Sequence, residues 1–196
     1  KAAGAVHIDA SVEENLRNIA KALNKDIKNV TVTMLDRERH EGLIDEIRKV
    51  GCRIKLFKEG DVAAAIATCF EKTGIDVMMG IGGAPEGVIA AAAIKCLGGD
   101  FQGKLVPMNE EEHKRCTQMG ICDINKVITM EEMVKGDDVF FAATGISDGD
   151  LLKGVLHMSA DITITHSVVM RSKTGTIRFV EAMHDMRKKP KYFSHI

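Results

Sequence analysis

Three short stretches of this 196-residue chain carry residues that could handle a phosphorylated ligand. The first is Asp36-Arg37-Glu38-Arg39-His40, with two arginines two positions apart. In an extended loop that spacing sends both side chains to the same side, and paired guanidinium forks suit a phosphate dianion. The second is Glu59-Gly60-Asp61, whose carboxylates can accept hydrogen bonds from sugar hydroxyls. The third is Val77-Met78-Met79-Gly80-Ile81-Gly82-Gly83-Ala84-Pro85-Glu86-Gly87-Val88, which reads as a buried strand, a glycine loop and the start of a helix. Glycines let backbone N–H groups approach a ligand closely, and a helix N-terminus attracts anions. Glu86 falls in the first helical turn. An acid beside a phosphate cradle invites a divalent cation, and Mg²⁺ or Mn²⁺ takes oxygen donors.

Each stretch also has a plainer reading. Arg37 and Arg39 suit a solvated turn, with Asp36 and Glu38 as ion-pair partners. Asp61 suits the N-cap of the next helix. Glu86 suits a first-turn acid that complements the helix dipole. Asp148 and Asp150 form another acidic loop, read as a cap and a turn residue. The histidines, His40 and His166 among them, show no metal-ligand spacing and read as structural.

The elements that must position these stretches follow from periodicity and punctuation. Ser11 with Glu14 opens a helix whose apolar face is Leu16, Ile19, Ala20 and Leu23, ended at Asn24. Residues 30–35 are a β-branched strand, 41–50 a helix closed by Gly51, and 52–57 a second strand. Residues 62–70 form an apolar helix, and a central strand starts near Asp76. The helix over 85–97 is apolar on every side up to Lys95 and is expected to lie buried between layers. A weaker strand over 101–108 ends near Pro107. Asn109 caps a polar helix, and Thr129 with Glu132 opens a short one. Residues 139–144 form a buried strand. Residues 161–171 and 176–182 alternate as an antiparallel pair across a turn at 172–175. Residues 1–9 read as extended or loose. The helix–strand alternation in the first half argues for a parallel sheet covered by helices. The domain reading is a single α/β domain over 1–183 and a basic, flexible tail over 184–196.

Composition narrows the function classes. A net charge of -1 gives no general affinity for nucleic acid or a membrane surface. With no Trp and one Tyr, base-stacking platforms are not expected. No apolar run is long enough to span a bilayer. The five cysteines are odd in number and form no C-x-x-C, so they read as inert thiols in a reducing, cytoplasmic setting.

The motifs, taken in order, resemble those of the class II fructose-1,6-bisphosphatases, the GlpX-type enzymes. Residues 35–44, Leu-Asp-Arg-Glu-Arg-His-Glu-Gly-Leu-Ile, are similar to that family's D-R-x-R-H-x-x-L/I segment. Residues 80–92 resemble its G-x-G-G-x-P-E-G-V-x-A-A-A, and 97–103 its L-G-G-x-x-Q-G. The Thr144-Gly145-Ile146-Ser147-Asp148-Gly149-Asp150 and Thr165-His166-Ser167 segments continue the likeness, which runs to about Glu181. The resemblance implies metal-dependent hydrolysis of the 1-phosphate of fructose 1,6-bisphosphate to fructose 6-phosphate, with Mn²⁺ or Mg²⁺. It implies the layered α/β/α/β/α sandwich shared with inositol monophosphatases, and a homo-oligomer, dimer or tetramer. Carried over, Arg37, Glu38, Arg39, Glu59, Gly60, Asp61 and Gly83 would bind substrate and Glu86 would be a metal ligand. Glu59 departs from the Asp-Gly-Asp more usual in the family. The family's D-P-x-D-G-T segment has no counterpart here, so the catalytic carboxylates are expected upstream of Lys1 and the chain alone is expected to be inactive. The competing reading is a Rossmann-like dinucleotide or sugar-phosphate module without catalysis. It uses Gly80-x-Gly82 as the phosphate turn and Asp100 as the ribose-binding acid.

Overall fold

The strand β1 (Thr31–Leu35) lies in the middle of a three-stranded parallel sheet in the computed structural model, which describes residues 2–189. β2 (Arg53–Phe57) pairs along its whole length, and β3 (Val77–Met78) pairs with Val32 and Thr33 on the other edge. α1 (Val12–Leu23) and α2 (Glu41–Val50) cover one face. Ser11 Oγ accepts from the Glu14 N–H at 3.1 Å to start α1, and Asn24, in the left-handed region at φ 52°, ends it. Leu16 and Ile19 from α1, Val32 and Met34 from β1, and Ile44 and Ile47 from α2 close into one buried cluster. Each such side chain contributes roughly 1.5–3 kcal/mol through burial.

α3 (Asp61–Ala67) and α4 (Ala84–Leu97) lie together on the opposite face, α3 against β1 and β3. Their far side packs on a second, antiparallel sheet. Ile66, Ala93 and Cys96 meet Phe141, Val168 and Met170 there. Its strands are β6 (Phe140–Thr144), β7 (Leu156–His157), β8 (Ile162–Arg171) and β9 (Thr176–Asp185). β6 and β7 share one edge of β8, and β9 runs along the other, joined by the expected turn at 172–175. The layer order is therefore helices, parallel sheet, helices, antiparallel sheet, a mixed α/β architecture. A separate two-stranded antiparallel pair joins β4 (Gln102–Gly103) to β5 (Ile128–Thr129). α5 (Glu110–Gln118) buries no residue, and α6 (Met130–Met133) starts with a full capping box at Thr129 and Glu132. Among the described residues no helix is long and apolar enough to cross a membrane.

Four expectations change. The strand over 101–108 shrinks to two residues, because only Gln102 and Gly103 find a partner. α4 is buried only from Ala90 onward; Val88 and Ile89 are 44% and 49% exposed. Its uniform apolarity therefore records a buried second half and an exposed apolar first half. Residues 2–9 are tied down: Gly4 N–H donates to Asp100 Oδ2, Gln102 pairs with Ile8 and Val6, and Lys104 Nζ meets Asp9 at 2.6 Å. β9 reaches Asp185, past the boundary read at residue 183. Residues 190–196 of the tail lie outside the described residues.

Candidate functional site

Because β2, β1 and β3 are neighbours and parallel, the loops that follow them emerge side by side, where open α/β sheets place ligands. The Asp36 N–H donates to Phe57 O at 2.8 Å, so the first two loops leave the sheet together. Arg37 then reaches across to the β2 loop, its Nη2 donating to Lys58 O at 2.9 Å and its Nη1 to Asp36 O at 2.8 Å. Arg39 reaches the other way: Nε and Nη2 both donate to Ile81 O, at 3.1 and 2.7 Å. The two arginines diverge rather than leaving on one side, because a 3₁₀ turn over Glu38–His40 replaces the extended loop. Each guanidinium uses two of its five N–H donors on carbonyls and keeps three for a ligand. Neither arginine pairs with Asp36 or Glu38 in an ion pair, so the solvated-turn reading with local partners does not describe them. Asp36, Arg37, Glu38 and Arg39 line an open recess of about 440 Å³.

Glu59 and Gly60 are exposed, and Asp61 is half-buried at the first position of α3. The N-cap is Gly60, at φ 94°, rather than Asp61, and no side chain caps the helix. That left-handed conformation is one L side chains resist, which explains the glycine. With no capping duty, the Asp61 carboxylate leans toward the glycine loop; a Cβ on Gly82 would lie 2.9 Å from its Oδ2. The Glu86 carboxylate folds back over Gly83, where any Cβ would collide with it. Gly83 is the N-cap of α4, and Pro85 sits in the first turn, where its missing N–H has no partner to lose. The loops thus bring Asp61, Gly82, Gly83 and Glu86 together, beside Arg39.

One contributor was read as structural in the sequence. His40 is buried at 1% exposure, its Nδ1 2.8 Å from Leu35 O and its Nε2 accepting from the Ile81 N–H at 2.8 Å. It fixes the end of β1 to the glycine loop. The available signal was its place immediately after Arg39; its partner 41 positions away was not readable.

The glpX-encoded bacterial fructose-1,6-bisphosphatases match residues 1–184. The chain belongs to that family. A Synechococcus sp. (strain JA-2-3B'a(2-13)) relative named D-fructose 1,6-bisphosphatase class 2/sedoheptulose 1,7-bisphosphatase is 44% identical over 196 residues, covering 94% of this chain and 56% of the relative. A relative of the same name from Synechocystis sp. (strain ATCC 27184 / PCC 6803 / Kazusa) is 43% identical over 202 residues, covering 97% and 58%. The chain spans a little over half the length of these curated relatives.

A fructose-1,6-bisphosphatase site of the metal-dependent kind needs several oxygen donors around its cation. Glu86 suits one such donor: it is exposed, sits at a helix start and its carboxylate makes no hydrogen bond or ion pair among the described residues. Among the described residues no group of three or more His, Cys, Asp or Glu could hold a metal ion. Glu86 is therefore a candidate for a single ligand, with no cluster of three such donors around it among the described residues.

Other candidates lie elsewhere. Asp148 caps a tight loop by accepting from Gly154 N–H, and Asp150 pairs with Lys55 at 2.7 Å. Asp100 holds Gly4 at the far end of α4, about 21 Å from the glycine loop at 1.5 Å per residue. That removes the ribose-binding acid from the dinucleotide reading. A second recess of about 260 Å³, on the antiparallel sheet, holds the His166–Glu181 pair and none of the candidate residues. All five cysteines are free, and burial pushes the Cys52, Cys69 and Cys96 thiols up, away from the reactive thiolate.

Proposed function

We propose that this chain supplies the substrate-holding half of a sugar bisphosphatase site. The reaction is the metal-dependent hydrolysis of the 1-phosphate of fructose 1,6-bisphosphate to fructose 6-phosphate, a step in gluconeogenesis. The observation that carries it is the convergence of two carbonyl-anchored arginines, a Gly-Asp turn and a glycine loop at three adjacent strand ends, in a chain of this family. Arg37 and Arg39 take the phosphate that is not cleaved. Their anchoring on Lys58 and Ile81 carbonyls reduces the side-chain entropy lost on binding. Glu59 and Asp61 accept hydrogen bonds from sugar hydroxyls, Glu38 and Gly60 line the same turn pair, and Gly83 approaches substrate through its backbone. Glu86 offers one ligand to Mn²⁺ or Mg²⁺.

With one ligand in hand, this chain by itself binds sugar phosphate without hydrolysing it. The order of helices, parallel sheet, helices and antiparallel sheet supports reading the chain as four layers of the α/β/α/β/α sandwich of inositol monophosphatase-like sugar phosphatases. Exposed apolar side chains such as Val88, Ile89 and Met183 favour further packing, here read as a cytoplasmic homo-oligomer, dimer or tetramer. Phosphate release from fructose 1,6-bisphosphate by the full-length protein, with and without Mn²⁺, tests the reading; metal-independent release or none contradicts it. The relatives' printed names favour sedoheptulose 1,7-bisphosphate as a second substrate, tested by competition between the two sugars.

A further inference from the structure

Two consecutive residues grip one distant residue, Ile81, through the two peptide groups that flank it. The Ile81 N–H donates to His40 Nε2 at 2.8 Å, and the Ile81 C=O accepts both Arg39 contacts, at 3.1 and 2.7 Å. On its other side the His40 ring lies 2.8 Å from Leu35 O through Nδ1. A carbonyl only accepts and an amide N–H only donates. The ring is therefore the neutral tautomer with its hydrogen on Nδ1 and its lone pair on Nε2. Gly80 packs against the ring so closely that a Cβ would lie 3.1 Å from Cε1 and Nε2, at a φ of +144°. A loop of three glycines has much conformational freedom to lose, and this clamp is its link to the buried end of β1.

We propose that His40 is a positioning residue for the site. By fixing the Gly80–Ile81 peptide through its N–H it sets the path of Gly82 and Gly83, and with them the backbone that meets substrate and the carboxylate of Glu86. Arg39 belongs to the same clamp, so a phosphate held by its remaining donors is placed in register with the glycine loop. This rests on the bisphosphatase reading for its chemistry, and on geometry alone for the loop.

Two substitutions separate the ring's two bonds. His40→Gln puts an acceptor within reach of the Ile81 N–H. His40→Asn restores only the contact near Nδ1 and leaves that N–H unpaired. In the full-length protein, His40→Asn is expected to lose Ile81 amide-exchange protection and about 10–100-fold in kcat/KM, while His40→Gln keeps both within about threefold. Equal losses in the two variants, or full protection and activity in His40→Asn, overturn the proposal. If the wild-type protein releases no phosphate, the bisphosphatase reading fails, and the exchange contrast still decides whether His40 holds the loop. A wild-type ¹⁵N spectrum covers the case of a variant that does not fold: a hydrogen on Nε2 overturns the clamp, and a hydrogen on Nδ1 alone supports it.

Discussion

At the amino end of the parallel sheet, the Asp76 side chain is 8% exposed, accepts from the Thr31 N–H at 3.0 Å and pairs with Lys25 Nζ at 2.6 Å. Nearby, Arg53 Nη2 donates to Asn29 Oδ1 at 2.7 Å. At the carboxyl end of the same strands the pattern reverses. Arg37 and Arg39 are anchored on carbonyls, while the carboxylates of Glu38, Glu59 and Glu86 make no hydrogen bond or ion pair among the described residues. The amino end uses its acid to hold strands together. The carboxyl end holds its loops with arginine and histidine, and so leaves its acids open for hydroxyls and a cation. Anchoring cations on carbonyls rather than carboxylates is what permits that division.

The largest expected effect breaks the open end. Glu86→Ala in the full-length protein should lower metal-dependent phosphate release by about 100-fold or more, with stability changed by no more than about 0.5 kcal/mol. Steady-state rates and a thermal melt read the two. Next, Asp76→Ala leaves the Thr31 N–H without its partner at the closed end. Urea unfolding should show a loss of about 1–3 kcal/mol, with KM unchanged. A KM effect there would mean the two ends are not separable. Arg37→Ala should raise KM about tenfold with kcat little altered, the mark of uniform binding. Arg39→Ala should lower kcat as well, because it also releases Ile81.

The smallest effect concerns a paired but exposed acid at the amino end. The Lys28 backbone N–H, and then the Lys28 side chain, hold the Asp26 carboxyl below its ordinary range. A lowered folded value means stability present above the unfolded value of about 3.9 and lost as pH falls through the folded one. Asp26→Asn should therefore narrow the stability difference from wild type on the acid limb, below about pH 4, and salt should weaken the effect. Unfolding midpoints measured from pH 2 to 6 check it.

Much of the positioning frame was readable because its causes are local. Ser11 and Asn24 bound α1, Gly51 closes α2, and alternation around a turn marked β8 and β9. The three loops were readable as a group because parallel strands order their ends. What was not readable depends on tertiary partners. Nothing local says that Gly60 takes the left-handed cap in place of Asp61, or that Arg37 and Arg39 find carbonyls on opposite sides. α4 shows the limit of periodicity: an all-apolar helix looks the same whether neighbours cover every turn or only the last two.

The central claim, that the carboxyl end holds a sugar bisphosphate, is tested most directly by amide chemical-shift mapping of the full-length protein titrated with fructose 1,6-bisphosphate. Saturable shifts are predicted at Arg37–Arg39, Glu59–Asp61 and Ile81–Gly83, with Thr31 and Asp76 unmoved. Shifts centred on the recess around His166 and Glu181, or none at saturating ligand, would contradict it.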